Sequence, residues 1–257
     1  MAIVGLAATA TAQTTVPGDP YAADPVGIVA DPCPQHAEPA DAAGWQIWRI
    51  HLLTRDFGQL CHYATANREI EKKPVRVVFL GDSITEGWKD ADPDLFTNGL
   101  VDRGISGQTT SQMLVRFRQD VIALKPLAVH IMAGTNDVAG NTGALTMATI
   151  EGNIQSMAEL ARANGIKVLI ASIPPASAFP WNAAVEPAPR IAMLNGWLEA
   201  YARRNNFTYV DYHAALARSD GAMKPELASD GVHPTRAGYA LMRPITLSAI
   251  RLALREP

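Results

Sequence analysis

Two stretches far apart in the chain carry residue types suited to nucleophilic chemistry. Gly81-Asp82-Ser83 follows the apolar run Val75-Arg76-Val77-Val78-Phe79-Leu80, and Asp230-Gly231-Val232-His233-Pro234 lies near the other end. A serine hydroxyl is a weak nucleophile until a base takes its proton. An imidazole can take that proton and later return it to a leaving alcohol. Asp230, three residues before His233, can fold back on a turn and accept the Nδ1 proton, fixing the tautomer. Each stretch also has a plainer reading. Ser83 is a candidate helix N-cap, Asp230-Gly231 a turn, and His233 a loop histidine beside a proline.

The elements around these residues favour the chemical reading. The run 75–80 is β-branched and apolar with no helical period, as in a strand buried on both faces. Strands are expected at 100–102, 127–133, 167–173 and 207–210. Helices are expected at 110–124, 146–164, 187–205 and 235–254, with Gly165 as a stop signal and Thr235 as a cap. Met113, Val115, Phe117, Val121 and Ile122 are read as the inner face of the first of these. Strand–helix alternation implies an α/β fold: a five-stranded, flavodoxin-like parallel sheet with helices on both faces. Ligands in such sheets bind at the carboxyl ends of strands. Four polar segments follow strands or loops at that edge. They are Gly81-Asp82-Ser83, Arg103 to Thr110, Ala133 to Asp137, and Asp230 to Pro234.

With those four blocks present and in order, residues 74–257 resemble the SGNH (GDSL) hydrolases. One departure is Asp102, where many members carry Asn. The resemblance implies a serine esterase working through an acyl-enzyme, with Ser83 as nucleophile, His233 as base and Asp230 as its partner. It assigns the oxyanion donors to the backbone N–H of Ser83, the backbone N–H of Gly107 and the side-chain amide of Asn136. Glycine allows close approach of the main chain, and an amide is a neutral donor. The plainer readings are a helix-entry glycine and a turn asparagine. Asp82 and Asp137 are read as loop braces. No metal or organic cofactor is implied.

Trp88, Val138, Phe179, Trp181 and Asn182 neighbour the blocks or follow the fourth strand. They are expected to line the pocket, against the alternative that the aromatics pack loops onto the body. The expected substrates are short-chain acyl esters, including O-acetyl groups on carbohydrates. Thioester or lysophospholipid hydrolysis is the alternative, and a non-catalytic glycan-binding module a remote one.

A net charge of −3 with no basic run argues against a nucleic-acid partner. Residues 1–12 read as an incomplete export signal that lacks its positive start, which implies a secreted or periplasmic protein. Residues 13–73 read as an irregular arm followed by one helix from Asp41 to about Asn67. No stretch is long and apolar enough to span a bilayer. Export makes a disulfide between Cys33 and Cys61 the expected pairing. Cys33, His36, Cys61 and His62 are four candidate zinc ligands, but adjacent ligands suit one tetrahedral ion poorly, so no metal is expected. Oligomeric state is not legible.

Overall fold

The computed structural model describes residues 20–34, 36, 39–70 and 73–256. The expected export signal lies outside them. In chain order the elements are α1 (Ala42–Arg55), α2 (Ala64–Ile70), β1 (Val77–Gly81), α3 (Ser83–Ala91), β2 (Leu100–Gly104) and α4 (Thr110–Asp120). Then come β3 (Ala128–Met132), α5 (Thr135–Ala139), α6 (Met147–Ala163), β4 (Lys167–Ala171), α7 (Pro187–Asn205), β5 (Thr208–Val210), α8 (Tyr212–Leu216) and α9 (Arg236–Leu254). Packing divides the chain into two compact units, one ending at His51 and one running from Leu52 onward.

The five strands are parallel, in the order β2-β1-β3-β4-β5. Alternation along β1 feeds two cores. Val78 and Leu80 join Met113, Phe117, Ile154, Ile191 and Leu198 beneath α4, α6 and α7. Val77 and Phe79 join Ile84, Trp88, Tyr212, Met242 and Ile250 beneath α3, α8 and α9. Successive side chains in a strand point to opposite faces, so an unbroken apolar run marks a strand covered on both.

Three local expectations are corrected. The single helix over 41–67 is two helices. The first stops at Arg55, and Gln59 takes a left-handed φ of 51° that no helix continues through. Val115 is exposed, because the buried stripe of α4 runs Met113, Arg116, Phe117, Asp120 at helical spacing. The sheet begins near the expected boundary at residue 73, but the unit that holds it takes in residues 57–70. Phe57, Gly58 and Leu60 supply carbonyls to Gln112, Gln108 and Gln119, while Asn67 bonds Asp120 and Arg103.

Asp102 is buried on β2, and its Oδ1 accepts from the Gly104 N–H at 2.9 Å. Burial pushes its carboxyl up to about 7, against the Gly104 hydrogen bond and the charges of Lys89 and Arg103. An unfolded aspartate titrates near ~4, so the folded state holds its proton to higher pH. Stability therefore falls as pH rises from about 4 to about 7. Asp102→Asn keeps an acceptor for Gly104 and removes the titration. It is expected to stabilise the protein at pH 8 by on the order of a few kcal/mol, and far less at pH 4. Urea midpoints at the two pH values check this, and an equal gain at both refutes the assignment.

Candidate active site

Ser83 is the first residue of α3, placed where β1 ends. Asp82, not Ser83, is the N-cap: its carboxylate accepts from the Ile84 N–H at 2.9 Å. The turn between strand and helix is tight. A Cβ on Gly81 would sit 2.0 Å from Thr85 Oγ1 and 3.0 Å from the Met132 carbonyl, so only glycine fits. The hydroxyl is thereby held at the strand edge, beside the first N–H groups of a helix.

His233 arrives from the segment before α9, 150 residues later. Its Nε2 lies 2.9 Å from Ser83 Oγ, and its Nδ1 lies 2.6 Å from Asp230 Oδ2. The other carboxylate oxygen, Oδ1, accepts from the backbone N–H groups of Val232 and His233 at 2.9 and 2.8 Å. Burial works to raise the Asp230 pKa. The hydrogen bonds from the His233 side chain and from the two backbone N–H groups outweigh it, leaving the carboxyl below its ordinary range. The ion therefore stays charged while it orients the ring.

The loops after β2 and β3 bring N–H donors to the same edge. Gly107 has a φ of 77°, a left-handed conformation that favours glycine. Asn136 is buried at 3% exposure on α5. One of its amide hydrogens goes to the Gln108 carbonyl at 3.1 Å, and among the described residues the second meets no acceptor. Asp137 ties the two loops, accepting from the Thr110 N–H at 2.9 Å and from its hydroxyl.

Three further residues sit in this framework that sequence reasoning did not assign to it. Asn141 donates to Asn136 Oδ1 at 2.8 Å and to the Gly107 carbonyl at 3.2 Å, so one amide fixes both donor-bearing residues. Glu86 accepts from the Ser106 N–H and hydroxyl, next to Gly107. Arg116, fully buried, donates to the Gly81 carbonyl and to Gln108 Oε1. A charged residue at the buried spacing of α4 was the available sign for Arg116.

The expected pocket lining divides. Trp181 is 45% exposed, its ring 5.9 Å from that of His233, and its Nε1–H bonds Asn141. Trp88 is not a lining residue: it is fully buried and stacked on Tyr239 in the core. Phe179 is equally buried and supports Trp181 from beneath at 5.1 Å. Val138 is 7% exposed, and Asn182 braces the loop by donating to the Ala139 carbonyl. His130 is a core residue bonded to Tyr212, and burial pushes its pKa down to about 3. A cleft of about 670 Å³ lies at the amino ends of β4 and β5, away from this site.

Residues 79–241 match the GDSL-like Lipase/Acylhydrolase family. The chain belongs to that family. A GDSL-like lipase from Bacteroides thetaiotaomicron is 48% identical, with a TM-score of 0.72 over 77% of this chain and 99% of its own. Esterase TesA of Pseudomonas aeruginosa is 29% identical over 169 residues, 62% of this chain and 75% of the relative. An acetyl-xylooligosaccharide esterase from Geobacillus shares the fold, with a TM-score of 0.57 at 23% identity over 68% of this chain and 94% of its own. As a GDSL acylhydrolase the chain is a carboxylic ester hydrolase, and its substrates are esters. Among the described residues no helix is long and apolar enough to cross a membrane.

Proposed function

We propose that Ser83, His233 and Asp230 form the catalytic triad of this hydrolase, and that it acts on short-chain acyl esters, among them O-acetyl groups of carbohydrates. The Ser83–His233–Asp230 relay, at 2.9 and 2.6 Å, is the observation that carries the triad. Ser83 Oγ attacks the ester carbonyl as His233 Nε2 takes its proton. The oxyanion faces the N–H groups of Ser83 and Gly107 and the Asn136 amide. Collapse breaks the ester bond, and His233 protonates the departing alcohol. Water then enters by the same base and releases the acid.

The short-chain preference rests on what surrounds Ser83. Phe179 and Val138, which flank the site, are buried in packing and offer no open channel of their own for a long acyl chain. The His233 and Asp230 side chains are each more than a third exposed, so a bulky alcohol such as a sugar can approach from solvent. A chain-length series of p-nitrophenyl esters and thioesters, run beside an acetylated oligosaccharide, tests this. Rates are expected to peak at acetyl to butyryl, and a peak at long chains or on thioesters would reject the preference. Export is part of the same reading: Cys33 and Cys61 are both disulfide-bonded, a state that persists in oxidising compartments.

Asn141 is the positioning residue of this scheme. Asn141→Ala frees the Asn136 carbonyl and releases Gly107, so the two donors lose their fixed aim. Turnover is expected to fall ~10-fold, with KM little changed. Removal of the Asn136 donor itself is expected to cost ~10²–10³. Steady-state kinetics on p-nitrophenyl acetate separate the two. Unchanged turnover in Asn141→Ala would show that the brace is idle.

A further inference from the structure

We propose that Asp24, His36 and His51 form a binding site for one divalent transition-metal ion, zinc in the first instance, that the ester chemistry does not use. His36 Nε2 lies 2.9 and 3.1 Å from the two carboxylate oxygens of Asp24. His51 Nε2 lies 3.5 Å from Asp24 Oδ2, the oxygen 3.1 Å from His36. One ligand atom from each residue falls within 4.8 Å of the other two. Zinc binds imidazole nitrogen and carboxylate oxygen at ~2.0–2.2 Å, which sets the edges of its coordination tetrahedron at about 3.3–3.5 Å. The two histidine–aspartate separations are near those edges, and the ligand nitrogens of the two imidazoles lie within 4.8 Å of each other, so an ion would draw the ligands together by about an ångström. Two neutral imidazoles and one carboxylate are a borderline-hard donor set suited to zinc and its first-row neighbours rather than calcium or magnesium.

The ligands are held before any ion arrives. Asp24 sits in a turn closed by its N–H on the Tyr21 carbonyl at 3.1 Å. His51 is 8% exposed on α1. Its ring stacks on Tyr21, at 4.1 Å, and on Trp48, at 5.1 Å, and those two rings also touch each other at 5.3 Å. His36 meets the same two aromatics edge-on, at 4.9 and 5.7 Å. Both imidazoles therefore present Nε2 with little rotational freedom, and aromatic walls lower the local dielectric around the carboxylate. Three protein ligands leave a fourth position for water. An ion here would cross-link the arm at Asp24 and His36 to α1, and its binding free energy would add to the stability of that unit. The four-ligand set suggested by Cys33, His36, Cys61 and His62 is a different one. Both sulfurs are disulfide-bonded, and His36 turns to Asp24.

The test is calorimetric titration of zinc chloride into the full-length protein after chelator treatment and dialysis. His233→Ala serves as the background, so that the other histidine–aspartate pair cannot contribute. One equivalent is expected to bind with micromolar or tighter affinity. Asp24→Asn and His36→Ala are each expected to weaken it at least ~10–100-fold. His36 is the safer probe, since His51 is buried in the unit. Circular dichroism confirms that each variant folds. Cobalt(II) substitution should give visible absorption bands in the parent that His36→Ala lacks. No stoichiometric binding by the parent, or equal binding by folded His36→Ala, would overturn the site and leave a hydrogen-bonded His–Asp–His cluster in its place.

Discussion

Ser83→Ala is expected to lower turnover of acetyl esters by about 10⁴-fold or more while leaving the protein folded. The hydroxyl is positioned to form an acyl bond, with His233 already in place to take its proton. The backbone N–H of residue 83 survives the change, as do Gly107 and Asn136. The variant should still bind ester and retain a small residual rate from oxyanion stabilisation. Its hydroxyl bonds only His233 among the described contacts, so unfolding should shift by less than ~1 kcal/mol. Reaction with a serine-directed fluorophosphonate, followed by intact mass, gives a readout independent of substrate choice. The parent should gain one adduct and Ser83→Ala none. Purified Ser83→Ala with near-parental turnover would refute the nucleophile.

His233→Ala is expected to cost a comparable factor, and combining it with Ser83→Ala should cost little more than either alone. Residues that act as one unit are strongly non-additive, because the second loss removes nothing that still functions. Multiplying effects in the double variant would mean the two serve different steps. The pH profile carries the same logic. The reacting imidazole must be neutral, so kcat/KM is expected to fall as acid protonates it. Asp230 stays ionised through that range because its hydrogen bonds hold its carboxyl below the ordinary value. Asp230→Asn should keep Ser83 and His233 near each other and still lower turnover sharply, since the tautomer and imidazolium lose their partner.

The sheet was legible because fully buried strands leave a simple trace. Val77 to Leu80 are apolar without alternation, and all are buried. A cap was legible where the local chemistry is self-contained, as at Thr235, whose side chain accepts from its own first helical turn. What failed was anything requiring knowledge of which side of a helix or loop faces inward. Val115 and Arg116 are neighbours, yet the apolar one is exposed and the charged one buried, because the Gly81 carbonyl and Gln108 needed a donor. Trp88 stands five residues past Ser83, but α3 turns it into the core against Tyr239.

The sequence by itself determined the alternation of strands and helices and the blocks that hold a hydroxyl, an imidazole and a carboxylate. Those depend on local period and on residues adjacent in the chain. Only the tertiary structure decided the bond from Ser83 to His233 across 150 residues, the grip of Asn141 on two loops and the meeting of Asp24, His36 and His51. Side chains that meet through packing are brought together by the whole core, and no spacing along one polymer records that.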